Sequence, residues 1–337
     1  MQTRVIFDYN NLACRCVHLQ QVKSNDDRSW SLMSYMIFNV MYDFLNSISE
    51  FLEPNDSVET ILAIDSHDGY WRRELYPPYK IDRAKKRRDD GVDWERAFQE
   101  FEKLSNAIKD FTPWKVIKAS KCEADDVIYV LSTNTENSVI IHSADSDYLQ
   151  LVSDWVSLYM PHLGEYAEFP RVCKISGQEV YCETPEMYLQ YAILTGQGGK
   201  DNVYNVKTPT DFDGARKPGF GVKAAEKVIK SCAGIEEELQ MLGLFENYTR
   251  NRQLIDMRKL PERYYSLINS IYNDYESKPV DIDGLLSVYD WPSLVANKDN
   301  ISDKIMLLST GIPDRNTDDD DAHQGVQSEE ETFEFTI

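Results

Sequence analysis

Three short apolar runs, each closing on aspartate, constrain this chain more than any other feature. They are "TRVIFDYN" at 3–10, "SVETILAID" at 57–65 and "SVIIHSADSD" at 138–147. The first stops at Asp8, the second at Asp65, and the third runs into Asp145 and Asp147. Between them lie segments with apolar residues at helical spacing, at 29–52, 93–111 and 123–134. "WKVIKA" at 114–119 and "WVSLYM" at 155–160 add two further strand-like runs. Strands alternating with helices of this length predict an α/β fold, with a mostly parallel central sheet flanked by helices. The 337 residues exceed one mid-sized domain, so a main domain with a smaller second lobe is expected.

In an open parallel sheet, ligands bind outside the carboxyl ends of the strands. Asp8, Asp65, Asp145 and Asp147 are therefore expected along one edge. Glu123, Asp125 and Asp126 join them from the first turn of a helix, with Glu123 and Asp126 sharing a face at i and i+3. Singly, each acid has an ordinary explanation as a helix-dipole partner or a turn residue. Together, seven neighbouring carboxylates cannot stay ionised without compensation. Divalent metal is the usual compensation, and oxygen-only ligation selects Mg²⁺, with Mn²⁺ as a substitute. Two such ions suit the displacement of a phosphodiester.

The net charge of −21 argues against a nucleic-acid binder until its distribution is read. Residues 314–337 hold nine acids against one arginine. "RRELYPPYKIDRAKKRR" at 72–88 holds eight bases against two acids. This basic stretch follows Asp65 closely, and its tyrosines offer stacking faces beside phosphate-attracting charges. Arg72, Arg73, Lys80, Arg83, Lys85, Lys86 and Tyr79 are the candidates. Further on, "KPGFGVKAAEKV" places Gly219, Gly221 and Lys223 at a turn feeding a helix, a device that can hold a DNA phosphate without reading bases.

The six cysteines form no C-x-x-C pair, which argues against zinc fingers and a disulfide framework and predicts free thiols. No run approaches the roughly 18 apolar residues of a membrane span. No signal peptide is visible at the N-terminus, so a cytoplasmic protein that avoids membranes is expected.

"EADD", "SADSDYLQL", "YWRRELYPPYKIDRAKKRR" and "KDNV" followed by "PGFGVKAAEKV" occur in one order and spacing. By these motifs the chain resembles the flap endonuclease/5′-nuclease superfamily, nearest to its T-even bacteriophage branch, over roughly residues 3–275. The resemblance implies a PIN-like nuclease core at 1–185 with a helical arch at 70–92. It implies a helix–three-turn–helix DNA-binding element at 186–235, a helical region at 236–313 and an acidic disordered tail at 314–337. The implied activity is 5′→3′ exonuclease and flap endonuclease cleavage, with ribonuclease H-type removal of primers from RNA–DNA hybrids during phage replication. Implied partners are branched or nicked duplex DNA with 5′ flaps. A monomer in the host cytoplasm is expected.

Carried over by motif, Asp8, Asp65, Glu123, Asp126 and Asp145 serve a first metal, with Asp125 beside them. Asp147 and Asp201 serve a second. Lys80 and Arg83 polarise the scissile phosphate, Tyr79 stacks, and the hairpin near 219–221 holds K⁺ in some relatives. The family pattern G-D-x-x-D-N is broken here. "LTGQGGKDNV" at 194–203 keeps Asp201 and Asn202, but Gln197 or Gly198 replaces the first Asp and one residue is inserted. A weaker or water-bridged second metal follows. The tail's Phe333, Phe335 and Ile337 suggest docking on a sliding clamp or single-strand-binding protein. Two alternatives are a haloacid-dehalogenase-type phosphatase, opened by Asp8 but with Asn10 where an acid belongs, and a non-catalytic DNA-junction binder.

Overall fold

The computed structural model describes residues 1–19, 26–83, 87, 89–209 and 219–312. Its centre is a six-stranded sheet made of β1 (Gln2–Asp8), β2 (Ser57–Ile64), β3 (Lys115–Lys118), β4 (Ser138–His142), β5 (Val156–Met160) and β6 (Glu165–Tyr166). The order is β3-β2-β1-β4-β5-β6. All neighbours are parallel except the short β5–β6 pair. This is the expected architecture, and the strands lie where the apolar runs place them.

Both faces of the sheet are covered, which is why the inner strands read as continuous apolar runs rather than alternating ones. In β1 the side chains divide by parity. Ile6 packs with Ile61 and Ile141 on one face, and Val5 and Phe7 pack with Leu62 on the other. The first face carries α3 (Trp71–Leu75), α5 (Ala124–Thr133), α6 (Pro185–Thr195), α7 (Val222–Ile229), α8 (Ile235–Met241), α9 (Phe245–Ile255) and α10 (Glu262–Asn273). The second carries α1 (Tyr9–Leu19), α2 (Asp27–Ser49) and α4 (Trp94–Phe111). The chain's last described helices return to that second face: α11 (Ile282–Val288), α12 (Pro292–Ala296) and α13 (Lys298–Thr310). Trp291 stacks on Tyr289 at 4.5 Å between ring centres and packs on Phe38 at 5.7 Å. The C-terminal helices therefore complete the core of the sheet rather than standing apart from it.

Some elements were not legible. Helix α1 starts directly after Asp8, where the pattern suggested only a strand end; its buried Leu12, Ala13, Cys16 and Val17 have helical spacing over a span too short to stand out. A separate hairpin, β7 (Arg171–Ile175) with β8 (Gln178–Cys182), was also missed. No helix among the described residues is long and apolar enough to cross a membrane. The cysteines are free.

Candidate active site

The chain runs from β1 outward through β2 and β3, then returns to place β4 on the other side of β1. The strand order reverses between β1 and β4, and a crevice opens beyond the carboxyl ends of such a pair. A cavity of about 270 Å³ lies there. Asp8, Asp65, Asp125 and Asp145 line it, together with Arg15, Lys80, Arg83, Arg87 and Lys200. Three strand ends and one helix start thus bring four carboxylates to one space.

Each acid is fixed by local chemistry. Asp8 ends β1, and its Oδ2 accepts from Ser143 Oγ at 2.7 Å and Tyr148 Oη at 3.3 Å. Burial, reinforced by Asp125, Asp145 and Asp65, pushes its pKa to about 8. Asp65 follows β2; its Oδ1 accepts from the Ala124 N–H at 2.8 Å, and its own N–H donates to Asn10 Oδ1 at 3.0 Å. Burial and Glu123 raise its pKa to about 6 despite Lys80. Asp125 accepts from Tyr148 Oη at 2.7 Å. Burial pushes Asp125 up, but Lys80 and Lys200 outweigh it and hold this carboxylate below its usual range.

Glu123 and Asp126 do not line the cavity. They form a capping box at the start of α5, with Asp126 Oδ2 accepting the Glu123 N–H at 2.9 Å. Glu123 is held by Arg72 at 2.8 Å, by Tyr79 Oη at 3.0 Å and by Lys80. Asp126 accepts from Trp71 Nε1 at 3.0 Å and pairs with Arg72 Nη2 at 2.8 Å. The two acids of "EADD" expected at the first metal are therefore compensated by the basic segment itself, inside the protein.

Asp145 and Asp147 are bridged by Lys200. Its Nζ lies 2.5 and 2.7 Å from the two Asp145 oxygens and 2.6 Å from Asp147 Oδ2. Asp147 Oδ1 accepts from Gln197 Nε2 at 2.7 Å. Burial and the neighbouring Asp145 still raise the Asp147 pKa to about 7. Asp201 is buried and bound to Arg83 Nη2 at 2.8 Å. Neither Lys200 nor Gln197 as a partner of Asp147 was foreseen. The only signal was the inserted residue in the broken G-D-x-x-D-N pattern. Among the described residues, no three acid, histidine or cysteine side chains stand ready-made as a metal cage, because chain cations sit between them.

The loop carrying Lys200 is built tightly. Gly196 caps α6 with φ of +69°, and a Cβ there would lie 2.5 Å from the backbone of Val203 and Tyr204. Gln197 pairs with Val203, which turns Lys200 and Asp201 back toward the strand ends. Lys80 also holds a left-handed backbone, with φ of +54°, and its N–H donates to the Asp201 carbonyl at 2.9 Å. Asn202, at φ +62°, donates from Nδ2 to Asp82 at 2.7 Å. The segments 76–83 and 200–203 are thus docked on each other.

Two DNA-contact expectations are corrected. Arg72 is 3% exposed, and its Nε donates to the Leu254 carbonyl at 3.1 Å, so it is a core ion-pair partner and not a surface cation. Tyr79 is likewise 3% exposed and spent on Glu123, with no face open for stacking. The physical cause is shared: Glu123 and Asp126 are buried and demand partners, and this segment supplies them. Arg73 is exposed, with its guanidinium over the Tyr70 ring and its Nε on the Tyr79 carbonyl. Lys80 and Arg83 both reach the cavity. Gly219, Gly221 and Lys223 are exposed at the start of α7, which packs against α6. Lys85, Lys86 and the tail's Phe333, Phe335 and Ile337 lie outside the described residues.

The geometry can be set beside known proteins. The family model for the 5′–3′ exonuclease N-terminal resolvase-like domain matches residues 3–180. The chain belongs to the 5′–3′ exonuclease family. It is 30% identical over 236 residues to ribonuclease H of Enterobacteria phage T4, covering 65% of this chain and 71% of that one. It is 26% identical over 230 residues to DNA polymerase I of Mycobacterium tuberculosis, spanning 67% of this chain but only 23% of the polymerase. In fold it is similar to a bacteriophage T5 flap endonuclease solved with DNA and metal ions, with a TM-score of 0.57 at 17% identity over 86% of this chain and all of that one. A T5 5′-exonuclease with bound zinc gives 0.56 over 81% of this chain and all of that one.

The exonuclease's cavity fits divalent metal chemically. Its donors are hard carboxylate oxygens, and burial together with neighbouring acids raises Asp8 and Asp65, a repulsion that a divalent ion would offset. The phosphatase alternative finds no support at Asn10, whose Oδ1 is spent on the Asp65 N–H and which brings no acid to the site.

Proposed function

We propose that this protein is a metal-dependent, structure-specific 5′ nuclease. It trims DNA 5′→3′, removes 5′ flaps and degrades the RNA of RNA–DNA hybrids during phage DNA replication. The observation that carries this reading is the cavity at the strand-order reversal, where buried carboxylates and basic side chains face one space. The T4 relative is named a ribonuclease H and the T5 neighbour a flap endonuclease bound to DNA and metal ions, which supports the substrate class.

Asp8, Asp65, Asp125 and Asp145 are the residues that would hold Mg²⁺, or Mn²⁺ in its place. When bound, divalent metal supplies positive charge to the attacking and leaving oxygens of the phosphodiester. The chain's own cations serve the substrate. Arg83, with 30% of its side chain exposed, turns from Asp201 to a phosphate oxygen, and Arg87 and Arg15 extend the basic wall along which a strand enters. Lys80 stays anchored on Glu123, fixed by its strained backbone, with its ammonium at the cavity wall. Arg73, Lys85 and Lys86 add phosphate contacts, and the turn at Gly219, Gly221 and Lys223 grips downstream duplex, with K⁺ at its hairpin. The same reading includes a sliding clamp or single-strand-binding protein on the C-terminal tail, and a monomer acting in the host cytoplasm.

The test is digestion of 5′-labelled flap, nicked and RNA–DNA substrates with and without Mg²⁺. Asp145→Asn is expected to lose at least about 100-fold in flap cleavage, since changes even to residues that merely support metal ligands cost 10–100-fold. Wild-type cutting by that variant sinks the assignment.

A further inference from the structure

We propose that Lys200 is a built-in cation that takes the place of the second divalent ion, so that this nuclease holds one tightly bound metal instead of two. The inference rests on the metal-dependent reading above and deepens it.

Three observations on different residues converge. First, the Lys200 ammonium contacts both oxygens of Asp145 and one of Asp147, all within 2.7 Å. Asp145 and Asp147 are the two acids that the strand end offers, and a cation shared between them is what their spacing serves. Second, the other oxygen of Asp147 is taken by the Gln197 amide at 2.7 Å. An amide nitrogen donates where a metal ligand must accept, so this oxygen is satisfied without metal. Third, Asp201 is buried and, before substrate arrives, paired with Arg83 at 2.8 Å. Each acid available to a second ion thus already has a partner from the chain.

The sequence change agrees with this geometry. The G-D-x-x-D-N pattern is altered by loss of its first acid and by one added residue, and Lys200 stands directly before Asp201 in the lengthened segment. One acid of the pattern is absent, and a lysine stands beside the acid that remains. A divalent ion entering here would have to expel an ammonium from two carboxylates. The base of the loop is held in place. Gly196 is crowded against Val203 and Tyr204, and Gln197 pairs with Val203, which holds the turn in register. Because Lys200 also lines the cavity, its charge is available to a phosphate on the side where the second ion would act.

The test is Mn²⁺ titration of the full chain, counting bound ions by electron paramagnetic resonance, with flap cleavage read on the same samples. Wild type is expected to bind one Mn²⁺ tightly and a second at least about tenfold more weakly. Lys200→Met is expected to tighten the second ion at least about tenfold, and Lys200→Met with Gln197→Asp further still, while Lys200→Arg keeps the wild-type stoichiometry. Two equally tight ions in wild type, or no change in the second ion in Lys200→Met, overturns the proposal. Circular dichroism confirms that each variant is folded, and the double variant provides an independent route to the same site. Failure of wild type to cut flaps would instead overturn the nuclease reading, which the ion count leaves separate.

Discussion

Replacing Arg72 by methionine separates a core role for this residue from a DNA-binding one. Its guanidinium lies 2.8 Å from Glu123 Oε2 and 2.8 Å from Asp126 Oδ1, with a third bond of 3.1 Å to the Leu254 carbonyl. All three side chains are essentially inaccessible. Methionine fills much of the volume but leaves Glu123 with Lys80, Tyr79 and the capping-box N–H, and Asp126 with the Trp71 indole and the Glu123 N–H. Removing one partner of a buried ion pair costs about 3–5 kcal/mol, because the remaining charge stays desolvated. At about 2.1 cal/mol/K of unfolding entropy per residue, 337 residues give about 0.7 kcal/mol/K, so Tm should fall by about 4–7 °C. Calorimetry measures that fall, and fluorescence anisotropy on a 5′-flap substrate measures binding below the transition. The expected result is a lowered Tm with flap affinity changed less than about twofold. Arg72→Lys should fall between, since it keeps charge but cannot bridge both carboxylates in the same planar geometry. An unchanged Tm together with a salt-dependent loss of affinity would refute the core assignment and return Arg72 to the DNA surface.

Two further predictions concern the site's charge and its loop. Burial raises Asp8 to about 8, Asp65 to about 6 and Asp147 to about 7, from an ordinary value of 3.8. The folded chain therefore holds these protons more tightly than the unfolded chain, and their contribution to stability is fully present at acid pH and lost as pH climbs through these values. Asp125, held low, acts in the opposite direction at the acid end. In chelator, Tm is expected to fall between about pH 5 and about pH 8.5, and Mg²⁺ should restore it at the upper end; a Tm that rises over this range in chelator would contradict the reading. Gly196→Ala places a Cβ 2.5 Å from backbone atoms at a positive φ, so it should destabilise by more than about 1 kcal/mol and weaken flap cleavage through displacement of Lys200 and Asp201. Denaturant melts and the flap assay check both effects, and unchanged stability would show that the turn is more pliable than its packing implies.

Much of the fold was legible because its signals are local. β1, β2 and β4 are buried on both faces, so each reads as an apolar run that stops about where the strand ends. Helices α4 and α5 announce themselves by periodicity and by acids at their starts. Helix α1 and the β7–β8 hairpin were not legible, because each buries only a few side chains over a short span. The acids at the strand ends were legible as a group, but their division into cavity-facing and internally paired members was not. Glu123 and Asp126 carry the same charge as Asp125 and lie within three residues of it, yet only Asp125 reaches the cavity.

By itself, then, the sequence determined that a parallel sheet would deliver aspartates to one edge, since strand length, burial and the residue that follows each strand are properties of short segments. Only the tertiary structure decided which cation meets which acid. Arg72 reaches Glu123 across 51 positions, and Lys200 reaches Asp145 across 55. A charge's partner is set by desolvation and distance in three dimensions, and neither quantity is encoded in the spacing of residues along the chain.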